Sequence, residues 1–98
     1  MRTYLLAGLA LVVASGSALA GTPYIDKREQ RQAERIYNGI KNGQLTFQEA
    51  GRLIKGQQRV RQLEKKFKSD GVVTPLERAI LHNRLNVQSV RIYNKKHN

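Results

Sequence analysis

The chain has 98 residues, no cysteine, and 18 basic against 7 acidic side chains, a net charge of +11. Absence of cysteine excludes disulfides, thiolate metal sites, thiol-attached haem and lipid on a processed N-terminal cysteine. The excess positive charge repels itself and favours polyanionic neighbours, which outside a bacterial inner membrane include lipopolysaccharide, anionic lipid headgroups, cell-wall polymers and extracellular nucleic acid.

Residues 1–20 show the zones of a secretory signal peptide in order: a cation at Arg2, an apolar run from Tyr4 to Val13, and small residues ending Ala18-Leu19-Ala20. Cleavage after Ala20 is expected. The run is shorter than the roughly 20 residues needed to span a bilayer, so no transmembrane anchor is expected in the mature form. Losing Arg2 alone of the charged residues, the mature chain keeps 17 basic and 7 acidic side chains, a net +10. At 78 residues it reads as one periplasmic or secreted domain with a thin core.

Residues 21–26 contain Pro23 and no clear period, and read as a flexible lead-in to a basic helical domain over residues 27–98. Ile25, Ala33, Ile36, Tyr37 and Ile40 follow helical spacing and suggest a first helix ending at Asn38-Gly39 or Asn42-Gly43. The second helix starts at a capping box, Thr46 with Glu49, and its apolar stripe runs through Phe47, Ala50, Leu53, Ile54, Val60, Leu63 and Phe67. Gly51 and Gly56 interrupt it and mark one or two places where a neighbouring helix approaches closely. A third helix starts at Thr74-Pro75-Leu76-Glu77, and its wide apolar arc, Leu76, Ala79, Ile80, Leu81, Leu85, Val87, Val90, Ile92 and Tyr93, implies packing on both others. The breadth of that arc also leaves room for a homodimer. The expected fold is all-α, a small bundle of about three helices.

The two helix starts repeat. Asn42-Gly43-Gln44-Leu45-Thr46-Phe47-Gln48-Glu49 and Asp70-Gly71-Val72-Val73-Thr74-Pro75-Leu76-Glu77 share Asn/Asp-Gly-x-aliphatic-Thr-x-x-Glu at an offset of 28 residues, a tandem helix-loop-helix. This pattern resembles the second half of an EF-hand calcium loop, in which an aliphatic residue pairs with its twin and a glutamate closes the site. That resemblance implies a calcium-responsive protein. Against it, Lys66 and Lys68 stand at loop positions one and three of the second copy, and the first copy offers Asn38, Ile40 and Asn42, with Glu49 as its one charged ligand. The structural account uses the same residues: glycines for the turns, Leu45 and Val73 as a pairing point, and Thr/Glu caps. More broadly, most of residues 28–98 resembles small exported helical proteins of proteobacteria, through the turn from Asp70 to Pro75 and the ending Ile92 to Asn98. That resemblance implies location and fold.

The candidate polyanion-binding surface is Arg52, Lys55, Arg59 and Lys66, which recur with Gln62 opposite the apolar stripe of the second helix. Lys27, Arg28, Arg31 and Arg35 on the first helix and Lys95 and Lys96 in the tail add to it. No aromatic residue interleaves the stripe, which argues against sequence-specific nucleic-acid recognition. Arg61, Glu64 and Lys68 lie nearer the apolar side of the same helix at spacings of three and four, where Glu64 can neutralise a flanking cation. His82 and His97 fit no metal-ligand spacing, and Tyr37 and Tyr93 read as core or interface aromatics. No catalytic constellation or cofactor motif is present. The reading is a non-enzymatic binding module whose basic face meets an anionic envelope component, lipopolysaccharide or anionic lipid, or an acidic protein; the alternatives are the calcium-responsive protein and a small inhibitor of a cell-wall enzyme. The first check is the intact mass of the protein from an exporting host: a chain beginning at Gly21 is expected, and one retaining Met1 refutes the signal peptide.

Overall fold

Local capping chemistry writes two of the three helix starts among the described residues. The computed structural model describes residues 21–97; the expected signal peptide lies outside the described residues. Helix α1 spans Pro23–Lys41, α2 Phe47–Lys68 and α3 Pro75–Lys96, with no strand among the described residues. The described residues fold as an all-α bundle of three helices.

Both capping boxes form. Thr46 Oγ1 accepts from the Glu49 amide and Glu49 Oε1 from the Thr46 amide, each at 3.0 Å. Thr74 and Glu77 repeat the arrangement at 3.1 and 2.9 Å. Each box satisfies two amides that a helix start otherwise leaves orphaned. Gly43 and Gly71 carry the turns at φ +77° and +86°, a left-handed region in which side chains are strained. Of the two expected ends for α1, Asn42-Gly43 is used, and the Gly39 carbonyl, one turn earlier, accepts from both Gln44 and Leu45 amides.

Two expectations fail here. Residues 21–26 are no lead-in: Pro23 opens α1, Thr22 is 2% and Ile25 1% exposed, and the Arg78 guanidinium holds the Gly21 carbonyl at 2.8 Å. Proline, read as a breaker, sits at the first helical position, where its missing N–H costs nothing and its fixed φ is already helical. Leu45 and Val73 do not pair either. The 22 residues of α2, about 33 Å of helix, separate the two turns. Leu45 packs with Ile36, Ala50, Leu53 and Ile92, at the end of the bundle away from Val73.

The buried positions follow a 3.5-residue spacing: Ile25, Glu29, Gln32, Ile36 and Gly39 on α1; Ala50, Leu53, Gln57, Val60 and Glu64 on α2, with Gly56 buried beside Gln57; Leu81, Leu85, Gln88 and Ile92 on α3. This is the spacing of helices that wrap with side chains in facing holes. Several residues expected inside are therefore outside, among them Phe47 at 84% exposure, Tyr37, Ile54, Leu76, Val87, Val90 and Tyr93. Polar side chains occupy core seats. Ile25, Val60, Leu81 and Leu85 form one apolar cluster and Ile36, Leu45, Ala50, Leu53 and Ile92 another. On each helix one glutamine, Gln32, Gln57 or Gln88, stands between them. Gln32 Nε2 donates to the Leu85 carbonyl at 2.9 Å and Gln88 Nε2 to that of Leu53 at 2.6 Å, cross-tying α1 to α3 and α3 to α2.

The second cross-tie explains one of the two glycines inside α2. A Cβ on Gly56 would meet the Gln88 carboxamide at 2.5 Å, whereas one on Gly51 would meet nothing within 4 Å. Gly51→Ala is accordingly expected to stabilise the fold by about 1 kcal/mol through helix propensity. Gly56→Ala displaces Gln88, and the buried carboxamide and carbonyl it leaves unmatched, about 1–3 kcal/mol, outweigh that gain. Urea unfolding of the two variants should give shifts of opposite sign; two stabilising shifts would contradict the close approach.

Candidate functional site

A helix that must bury one stripe exposes the rest, and α2 exposes Arg52, Lys55, Arg59 and Lys66 within about 60° of its circumference. None of the four pairs with a carboxylate among the described residues. The fold adds two cations to this face. Arg84 and Arg91 on α3 join Arg59 in lining a groove of about 230 Å³ between α2 and α3, with Gly56 and Val87 at its floor and wall. The sequence hides both arginines because Val87, one turn from each, and Val90, next to Arg91, read as core; the 3.5-residue spacing of Leu81, Leu85, Gln88 and Ile92 is the signal that places them outside.

The basic residues of α1 divide. Lys27 is exposed, but Arg28 and Arg35 are half-buried against α3. Arg28 Nη1 lies 2.9 Å from His82 Nδ1 and 3.3 Å from the His82 carbonyl, and its Nη2 donates to Asn86 Oδ1 at 2.6 Å. Arg35 donates to Ser89 Oγ at 2.8 Å and to the Ser89 carbonyl at 3.1 Å. Lys96 reaches back from the end of α3 to the Arg35 carbonyl at 3.1 Å. A further groove of about 310 Å³, between α1 and α2, is mostly apolar, lined by Ala33, Ile36, Tyr37, Ile40 and Ile54 with Arg61 beside them.

At the end of the bundle where α1 starts, the fold gathers the carboxyls of Asp26, Glu29 and Glu64, with oxygens within 4.8 Å of one another. Glu64, 6% exposed, is the hub: its Oε2 accepts from Thr22 Oγ1 at 2.6 Å and pairs with the Lys68 ammonium at 2.7 Å. Asp26 Oδ1 lies 3.3 Å from the same threonine hydroxyl. Burial opposes ionisation of Glu64, but its hydrogen bonds with Glu29, Lys68, Thr22 and Asp26 outweigh that and hold its pKa at about 2. Glu29 is also 6% exposed, and no partner reaches its Oε2. Burial first, then the hydrogen bond to Glu64 and the charge of Glu64, push Glu29 up to about 8, against a smaller opposing pull from Arg61. Two adjacent buried carboxylates cannot both ionise, so Glu29 holds the proton and Glu64 the charge. Asp26, exposed as a residue with its carboxyl facing the cluster, is raised by desolvation and by its hydrogen bond with and the charge of Glu64. The cluster was only half visible in sequence: Glu64 and Lys68 showed their pairing, whereas Glu29 gave one hint, its place in the spacing Ile25, Glu29, Gln32, Ile36.

The remaining candidates take modest places. Glu49 and Glu77 each use Oε1 to cap a helix, and their loops lie at opposite ends of α2. Tyr93 is exposed and stacks on His97 with ring centroids 3.9 Å apart, while His82 lies against Arg28. No helix among the described residues is long and apolar enough to cross a membrane. Comparison with protein-family models, curated proteins and solved structures finds nothing that matches this chain.

The carboxyl cluster makes stability depend on pH with a definite sign. Glu29 keeps its proton in the fold up to about pH 8 but releases it near 4.5 when unfolded, so its contribution is complete below 4.5 and is lost as pH rises towards 8; Asp26 acts in the same direction. Glu64, held at about 2, contributes above 4.5 and loses that as pH falls towards 2. Stability should therefore peak near pH 4.5 to 5. Glu29→Gln, which keeps the shape without the charge, should match the parent at pH 4.5 and exceed it at pH 8 by about 1–2 kcal/mol, roughly 5–15 °C in Tm. Thermal unfolding across pH checks this, and a parent Tm unchanged from pH 5 to 8 would contradict the shared proton.

Proposed function

We propose that this protein is a non-enzymatic binding module, exported to the periplasm or beyond, that lays the basic face of α2 and α3 against a phosphate-rich envelope component such as lipopolysaccharide or anionic lipid headgroups. The observation that carries this reading is the set Arg52, Lys55, Arg59, Lys66, Arg84 and Arg91, six cations on one side of the bundle with no carboxylate pairing among the described residues. Like charges held together on a thin-cored domain repel one another. An anionic surface relieves that repulsion, at about 1 kcal/mol for each cation brought near it.

The form of the face supports a surface over a base sequence. Its cations are spread along two rigid helices, and no aromatic side chain stands among Arg52, Lys55, Arg59 and Lys66 to stack on bases. Capping of Thr46 and Thr74 by Glu49 and Glu77 supports a structural role for the repeated turns over calcium sensing. An acidic protein or a cell-wall enzyme would meet the same face through the same charges.

The test is binding to lipopolysaccharide, to anionic vesicles and to duplex DNA over a salt series, beside a variant with Arg52, Lys55, Arg59 and Lys66 all changed to Gln. Tight binding to lipopolysaccharide or vesicles that falls steeply with salt and weakens at least tenfold in the variant is expected. A variant that binds like its parent, or a parent that fails to bind at about 150 mM salt, where charges are screened beyond about 8 Å, would overturn the reading. Arg84→Gln with Arg91→Gln should weaken binding as well, since the α3 arginines belong to the same face.

A further inference from the structure

The opposite flank of α3 carries a different basic feature. Arg28, Arg31 and Arg35 fall within about 60° of one another on α1, and with Gln32 and Ser89 they line a polar groove of about 170 Å³ between α1 and α3. No carboxylate pairs with any of the three among the described residues. On α3 the one acidic residue is Glu77, which caps the helix at its far end. On α1, Glu29 is buried in the carboxyl cluster, and Glu34, one turn from Arg31 and about 60° around the helix, forms no ion pair with it.

Two of the three guanidinium groups are already in position. The bonds of Arg28 to His82 and Asn86, and of Arg35 to Ser89, fix both planes against α3, and each group keeps N–H donors beyond those bonds. Arg31 lies between them in sequence, exposed and without a hydrogen-bonded partner among the described residues. Partly desolvated cations that meet only neutral acceptors are electrostatically incomplete. Side chains held in place by neutral partners also lose less freedom when a ligand arrives. Guanidinium forks match phosphate oxygens in pairs, and the groove is small and polar.

We propose that this groove is a binding site for a doubly charged terminal phosphate, a phosphate monoester or a diphosphate, clamped by Arg31 between Arg28 and Arg35 with the Ser89 hydroxyl at its edge. The site is separate from the α2 and α3 face and does not depend on it. Its ligand is either a free phosphate compound or a lipid headgroup bearing a phosphomonoester, and the two share the chemistry recognised.

Calorimetry with inorganic phosphate and pyrophosphate, and sedimentation with vesicles containing phosphatidic acid or phosphatidylglycerol, test the assignment. Saturable one-to-one binding of pyrophosphate, at least tenfold weaker in Arg31→Gln and within twofold of the parent in the variant with Arg52, Lys55, Arg59 and Lys66 changed to Gln, establishes the site with a soluble ligand. Preference for phosphatidic acid over phosphatidylglycerol vesicles, lost in Arg31→Gln, establishes it with the headgroup as the source. Arg31 is exposed and makes none of the contacts that join the helices, so its replacement leaves the bundle intact, which circular dichroism verifies. Binding of neither phosphate class, or an Arg31→Gln protein that binds both like the parent, overturns the proposal.

Discussion

Register between α1 and α3 rests on a ladder of side-chain donors reaching backbone carbonyls. The two helices run parallel, and Arg28, Gln32 and Arg35 on α1 meet the carbonyls of His82, Leu85 and Ser89 on α3 in the same order. A helix carbonyl accepts from the amide four residues on with one lone pair and has a second to offer, so the rungs add bonds without breaking any. Apolar packing alone tolerates sliding of one helix along another by a turn. A polar rung in the interior does not, because a slip strands a buried donor at a cost of about 1–3 kcal/mol. The positions of the basic groups follow from this: the ladder that aligns α1 with α3 also places three arginines beside one groove, and the tie from Gln88 to Leu53 sets which arginines of α3 stand across from Arg59.

The carboxyl cluster performs the corresponding task at one end. A strongly cationic chain has few acids to spend, and here two of them are buried together. Glu64 joins the residue before α1, through Thr22, to the last turn of α2, through Lys68, so a single ionised group ties the start of α1 to the end of α2. Glu29 beside it stays protonated and acts as a donor. The arrangement spends one negative charge on three contacts, and the neighbouring Arg61 and Lys68 face it from the same helix.

What could be read from the sequence was what is local. The Thr/Glu caps, the glycine turns and the start of α3 at Pro75 each depend on residues within a few positions, and they stand as expected. Pro23 was misread because a proline that breaks a helix and one that begins it look alike until the residues after it, here Ile25 and its successors, are seen to be buried. Polar core seats defeated the apolar pattern: with Glu29, Gln32, Gln57, Glu64 and Gln88 inside, the eye follows Phe47, Ile54 and Tyr93, which are outside. The α2 stripe was legible because one helix carries it. Arg84 and Arg91 beside Arg59, and Glu29 beside Glu64, are juxtapositions of separate helices, which periodicity within one segment does not report.

An up-down-up bundle has an odd number of helices, so the dipoles of two cancel and that of the third remains. The end where α1 and α3 start is the positive pole, and it carries Asp26 in the first turn of α1 and Glu77 in the first turn of α3; the other end is negative and carries Lys41, Lys95 and Lys96 in the last turns. Helix α2 runs the other way and brings Glu49 to the negative end and Lys65, Lys66 and Lys68 to the positive one, so terminal charges oppose each helix's own dipole. The flanks receive no such compensation, because peptide dipoles run along them. Most of the molecule's unbalanced charge therefore lies on its sides, and a polyanion approaching along the long axis meets a weaker attraction than one that lies broadside.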